Sequence, residues 1–227
     1  RELWRVFDRV PFEELCVAER LASDEVIALL NFPSYFDLLG LPLPDGAEKI
    51  LRQLAEDRMV AANQAGGLDI TNLGAGLFAK NLGQFKGLGR KAIRVIFYHG
   101  EGRLKTLREQ SSAKGYAAGF EDLIDFLSVS LPHNEIIGKA LRRELPMYPE
   151  LAVRELTANA LIHQDFSVTG SGPMIEVFSN RLEITNPGVP LVKTERFLDT
   201  PPRSRNETLA SFMRRVGICE ERGSGID

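Results

Sequence analysis

Apolar residues recur at helical spacing in two long stretches of the chain. From Asp45 or Gly46 to Val60, Ile50, Leu51, Leu54 and Ala55 fall on one side of an amphipathic helix. From Gly119 to Leu131, Phe120, Leu123, Ile124 and Leu127 do the same, and Pro132 ends the run. A shorter helix spans Ser23 to Leu30 with Ser23 as its N-cap. Pro149 suits the first turn of a helix that runs on through His163, and a last helix covers Asn206 to Val216. Strand-like alternation marks Met59 to Asn63 and Leu68 to Thr71 around the turn Gln64-Ala65-Gly66-Gly67. It returns at Ala92 to His99, where Ile93, Val95 and Phe97 alternate. Met174 to Phe178 and Arg181 to Thr185 flank Ser179-Asn180 as a tight hairpin. Pro33, Gly40, Pro42 and Pro44 punctuate a turn-rich stretch, and Pro190, Pro201 and Pro202 a long polar one. The Gly-rich Lys86 to Arg90 connector reads as a boundary. The expected class is α+β, with one unit over 1–85 and a second over 86–227.

A helix followed at once by a short hairpin is the layout of a winged helix, with Arg52 and Arg58 as candidate phosphate contacts. The same helix carries Glu48, Glu56 and Asp57, so its charge is mixed. The chain's net charge of −3 gives no general nucleic-acid footprint. Between Lys80 and Lys114, however, nine Lys or Arg face two acids, a local balance of +7. That basic segment is a second candidate for DNA contact. Apolar content of 44% and charged content of 26% fit an ordinary globular protein, and no apolar run approaches the ~18 residues of a membrane span. Cys16 and Cys219 form no framework and read as reduced thiols of a cytoplasmic protein. Starting at Arg1 and stopping at Gly223-Ser224-Gly225-Ile226-Asp227, the sequence reads as a piece of a longer chain.

The candidate chemistry lies in Glu155, Asn159 and His163, at i, i+4 and i+8 of one helix. Four-residue steps turn only about 40° each, so the three polar groups form one stripe. Leu156, Ala160 and Leu161 are expected beside it as an apolar face. Such a row can hold a cation and a water against a phosphate. Downstream come Asn186-Pro187-Gly188 at the end of a strand, then Gly223-Ser224-Gly225 after a long connector. A near-repeat, Leu68 to Gly74 against Leu182 to Gly188, lacks matching flanks and reads as chance strand-to-turn chemistry.

That order of helix, Asn-Pro-Gly strand end, lid and Gly-x-Gly resembles the GHKL (Bergerat-fold) ATPases. The ELTANALIHQDF and IEVFSNRLEITNPGVP runs, and Arg205-Asn206 followed by ERGSGI, look like a divergent subgroup. In it the GHKL domain follows an Alba-like, Schlafen-related domain, in proteins labelled transcriptional regulators or RecG-like helicase-related proteins. The resemblance is specific over 150–227 and looser over 30–130, and it would place the Alba-like domain before Arg1. It implies a mixed sheet with helices on one face, ATP and Mg²⁺ as cofactors, and a homo-oligomer. By the same resemblance Asn159 ligates Mg²⁺, and Glu155 orients and deprotonates the attacking water. Asn186 takes the place of the aspartate that accepts the adenine amino proton, and Gly188 lets the base approach. Gly223 and Gly225 match the glycines whose N–H groups meet the phosphates. His163 and Asp165 match the subgroup without an assigned role. Asn186 lacks a carboxylate's charge-assisted bond, and Pro187 removes a backbone donor. Three readings follow: an ATP-responsive DNA-associated regulator whose lid runs from Val189 to Arg222, a weak ATPase with Glu155 as base, and a degenerate interaction module. A helicase motor is not expected, because the chain has no Gly-x-x-x-x-Gly-Lys-Ser/Thr loop.

Overall fold

The computed structural model describes residues 10–137, 142–191 and 204–219. Their architecture is α+β. A 3-10 turn at Phe12–Glu14 leads into β1 (Cys16–Leu21), followed by α1 (Ser23–Leu29), α2 (Phe32–Leu38) and α3 (Ala47–Glu56). The hairpin β2 (Val60–Ala62) and β3 (Leu68–Thr71) comes next, and the antiparallel sheet has the order β1-β3-β2. The helix-then-hairpin layout is therefore present, preceded by the expected α1 and joined by a third strand and a helix, α2, that the apolar pattern did not reveal.

Local chemistry explains the differences from expectation. The N-cap of α1 is Ala22, not Ser23, because the Glu25 carboxylate accepts the Ala22 N–H at 2.7 Å. Pro33 begins a helix where it was read as a turn: it sits in the first turn of α2, where no N–H is needed. In α3, Ile50, Leu51 and Leu54 are buried as expected, but Ala55 is exposed. The near-repeat diverges after its strands. Thr71 Oγ1 accepts the Gly74 N–H at 3.0 Å and so caps α4 (Asn72–Phe78), every residue of which is buried. In the second copy, Pro187 and a Gly188 at φ +111° turn the chain instead.

The larger sheet joins β4 (Arg94–Tyr98), β5 (Thr106–Ser111), β8 (Met174–Val177) and β9 (Leu182–Thr185) in the order β5-β4-β8-β9. β4 and β8 run parallel, and the other pairs are antiparallel. Between β5 and β8 lie α5 (Tyr116–Ser130), a separate hairpin of β6 (His133–Ile137) with β7 (Arg142–Pro146), and α6 (Glu150–Ile162). α7 (Glu207–Arg215) follows β9.

Val95, Ile175 and Val177 pack toward α5 and α6 in one hydrophobic cluster that also holds Leu54, Phe78 and Phe212. On the opposite side of the sheet the buried Glu176 carboxylate takes bonds from Tyr98 Oη at 3.0 Å and Arg103 Nε at 2.6 Å. That guanidinium holds the Glu176 pKa below its usual range. Edge strand β5 is exposed throughout and carries Arg108 and Glu109, charges that discourage further strand pairing. Among the described residues no helix is long and apolar enough to cross a membrane.

Two glycines of α4 make opposite demands. A Cβ on Gly74 would lie 2.1 Å from the Met59 carbonyl oxygen, whereas one on Gly76 meets nothing within 4 Å. Gly74→Ala is expected to cost about 2 kcal/mol or more, and Gly76→Ala to add roughly 0.5–1 kcal/mol. Urea midpoints of the two variants check this, and equal midpoints would contradict the packing described.

Candidate functional site

Past its first turn, α6 is enclosed on most sides. Val153, Glu155, Thr157, Ala158, Leu161 and Ile162 are all buried, and Arg154 lies over the Phe120 ring. Beyond Glu150, the positions open to solvent are Leu151, Ala152, Arg154, Leu156, Asn159 and His163 at the cap, of which Leu151, Leu156 and His163 are exposed. At 100° per residue Ala152, Leu156, Asn159 and His163 fall within an arc of about 60°, with Leu151 and Arg154 on another side. Leu156, expected on the apolar face, is 43% exposed, a correction to the sequence reading. The cause is packing: Ala160 and Leu161 face the core, while Leu156 falls on the open arc.

Glu155 sits at the rim of that arc with its side chain buried. Asn159 Nδ2 donates to Glu155 Oε1 at 3.4 Å, so the stripe is real and its first two members are in contact. With Nδ2 engaged there, Asn159 presents Oδ1 as an acceptor, the donor type a hard cation requires. His163 is the C-cap, its N–H donating to the Asn159 carbonyl at 2.9 Å. Partial burial of the ring, then the Arg205 and Arg214 cations, lower the His163 pKa from 6.5.

The Asn-Pro-Gly turn is fastened to this end of α6. Asp165 N–H donates to the Pro187 carbonyl at 2.8 Å, so proline here supplies an acceptor and the missing donor costs nothing. A Cβ on Gly188 would meet Asp165 Cβ and Arg205 NH1, both at 2.7 Å. Asn186, half-buried, follows the last residue of β9.

Asp165 Oδ1 accepts the Ser167 hydroxyl at 2.5 Å and the Ser167 N–H at 2.9 Å, and Oδ2 accepts Arg205 NH1 at 3.2 Å. The Ser167 hydroxyl first, then its amide and the cations Arg205 and Lys91, depress the Asp165 pKa. Lys91, itself buried, donates to Val168 O at 2.7 Å and Asp165 O at 3.3 Å, and burial lowers its pKa. Asn206 Nδ2 closes the helix end by donating to Ile162 O at 2.7 Å and Gln164 O at 2.8 Å.

Glu155 and Asn159 thus touch on α6, His163 caps its end, and the turn holding Pro187 and Gly188 is tied to Asp165 just beyond that cap. Gly223 and Gly225, and the lid segment 192–203, lie outside the described residues. Arg52 is exposed on α3, and Arg58, at φ +59°, pairs with Glu14 at 3.5 Å.

Much of the basic segment is engaged within the protein. Lys80 donates to Ile27 O, Lys91 to the loop after α6, Arg94 pairs with Glu109, Arg103 with Glu176 and Glu183, and Lys114 with Asp122. Arg205-Asn206 was read as part of the motif that carries the resemblance and Lys91 as one charge of the basic segment, but their ties to the end of α6 were not legible in the sequence. The Asp165-Phe166-Ser167 turn was the one available signal, since an Asp two residues before a Ser favours an Asx turn.

Residues 170–227 match the family model described as "Putative ATP-dependent DNA helicase recG C-terminal". The match takes in β8, β9, the Asn-Pro-Gly turn and α7; α6 precedes it. No curated protein matches the chain. Among solved structures the chain is similar to the DIP2311 protein from Corynebacterium diphtheriae, with a TM-score of 0.65 and 20% identity. The likeness covers 99% of this chain and 44% of that one, so this chain spans less than half of its relative. At that identity it speaks for the fold alone.

The His163 environment has a measurable consequence. The unfolded chain takes up a proton near pH 6.5, while the folded ring does so only at lower pH. Stability is therefore full above that range and falls as the pH drops through it. An NMR titration of His163 is expected to give a midpoint below 6.5, and His163→Gln to flatten stability between about pH 7.5 and 5. A midpoint above 6.5 would contradict the environment described.

Proposed function

We propose that the chain carries a GHKL-type site that binds Mg-ATP on the open face of α6. The observation that carries this reading is the contact of Asn159, on an open arc of α6, with the buried Glu155 at the rim of that arc. The match of 170–227 to a model described as ATP-dependent supports it from the neighbouring elements. The donor set fits Mg²⁺, which takes one or two protein oxygens and keeps several waters. Asn159 Oδ1 would be the protein ligand. Bound there, Mg²⁺ supplies charge neutralisation for the phosphates.

Each remaining residue has a defined task in this proposal. The Asn186 carboxamide oxygen accepts the adenine amino proton, and Gly188 lets the turn that presents it close on Asp165 and Arg205. Gly223 and Gly225 offer backbone N–H groups to the phosphates. His163, held neutral at pH 7, closes the open arc without adding charge. The wider proposal is a cytoplasmic, homo-oligomeric, DNA-associated regulator of the Alba-like, Schlafen-related subgroup. ATP closes those parts of the Val189–Arg222 connector that lie outside α7, whose buried face packs in the core, and the β1–β3 unit works as a winged helix with Arg52 on its surface. Glu155 favours a second reading, slow hydrolysis. A buried carboxylate next to the metal-binding amide is placed to orient a water and take its proton.

Calorimetric titration of the chain with Mg-ATP is the deciding experiment. Asn159→Ala is expected to weaken binding by about tenfold or more, ~1.4 kcal/mol. Glu155→Gln is expected to bind ATP comparably and release phosphate roughly 100-fold more slowly. Absence of heat with the unaltered chain at millimolar Mg-ATP removes the proposal. Unchanged phosphate release in Glu155→Gln removes Glu155 as the base.

A further inference from the structure

α7 is tied by side chains at its start, its middle and its end. At its start, Asn206, 4% exposed, donates to Ile162 O and Gln164 O at the end of α6. Its neighbour Arg205 bonds Asp165 Oδ2 and, at 2.7 Å, Val189 O, bracketing the Gly188 turn. The first free N–H groups of the helix are taken by a carboxylate from the far end of the chain. Glu13 accepts from Leu209 N at 2.5 Å and Thr208 N at 3.2 Å. In the middle, Phe212 meets the rings of Phe78 at 5.4 Å and Tyr35 at 6.1 Å. At the end, Arg215 grips both oxygens of Asp57, the residue that caps α3, and Tyr35 Oη donates to the same carboxylate at 2.5 Å.

We infer that α7 is a coupling strut that transmits the state of the α6 end and its Asn-Pro-Gly turn to the C-terminal end of α3. The inference rests on the nucleotide-site reading for what sets that state, and on the bonds above for the transmission itself. A nine-residue helix is stiff over its length of about 14 Å, so a shift at Asn206 moves Arg215 rather than dissipating between them. The far contact is specific. A bidentate guanidinium–carboxylate pair fixes direction as well as distance, and the Tyr35 hydroxyl locks the carboxylate in place. Arg215 and Tyr35 together hold Asp57 as an anion, the Arg215 hydrogen bonds doing most to oppose the cost of its burial. The output is the orientation of α3, which carries Arg52, and of the Arg58 turn leading into β2. Regulation of the α3 surface from the α6 site would run through this helix.

Amide hydrogen exchange reads this directly. The reporters are the Arg58 N–H, bonded to Ala55 O, and the Met59 N–H, bonded to Leu54 O. Ile96 and Glu176 in the larger sheet serve as controls. Asn206→Ala is expected to speed exchange at both reporters at least roughly fivefold while the controls stay within about twofold. Adding Arg215→Met is expected to cause little further change, since both substitutions break one path. Asp57→Asn, which leaves the α6 end intact, is expected to speed exchange of the His163 amide in turn. Uniform acceleration everywhere, or acceleration confined to the substituted end, overturns the strut.

A ligand arm separates the two readings. Mg-ATP is expected to slow the reporters in the unaltered chain, and in Arg215→Met to bind with a Kd within about threefold yet leave them unmoved. If ATP binds and the reporters of the unaltered chain do not respond, the strut is overturned. If ATP does not bind, the nucleotide reading fails, and the substitution arm still decides the strut.

Discussion

The enclosure of α6 is the constraint on which the candidate site depends. α5 and the larger sheet cover much of it, so its polar stripe meets solvent along one narrow arc. That enclosure also buries the Glu155 side chain. Within the described residues its side-chain bond is a long one from Asn159. The surrounding packing is what sets a buried carboxylate beside an amide on an open arc.

The second organising feature is the use of side chains to satisfy backbone groups far away in sequence. Asn206 closes the end of α6, Glu13 the start of α7, and Lys91 the loop after α6. Each of these polar groups is buried, so each needs partners, and the partners bind the segments together. The aromatic contacts of Phe12 on Phe166 and Phe212 on Phe78 reinforce the same joints. Residues on both sides of the Gly-rich connector therefore share one hydrophobic cluster.

The fold was legible where a single period dominates. α5 and the β8–β9 hairpin match their apolar patterns because each packs one clear face or alternates cleanly. β1 was not legible: it is a short mixed strand whose pairing with β3 is broken by irregularities, so no period survives. α4 was hidden for the opposite reason, being buried on all sides and rich in glycine, which erases amphipathic contrast. β5 is wholly exposed and carries no apolar face to detect.

By itself the sequence determined the local chemistry of the site. Helical spacing put Glu155 and Asn159 on one stripe, and Asn186-Pro187-Gly188 had to end a strand in a turn. Only the tertiary structure decided which arc of α6 stays open and that Leu156 lies on it. It also decided that Arg205, Asp165 and Asn206 join the turn to the helix. The physical reason is range. Spacing along a helix is set by backbone geometry within a few residues, whereas exposure depends on what packs against each face. Those packing partners come from positions that local pattern does not connect, Glu13 and Leu209 being 196 residues apart.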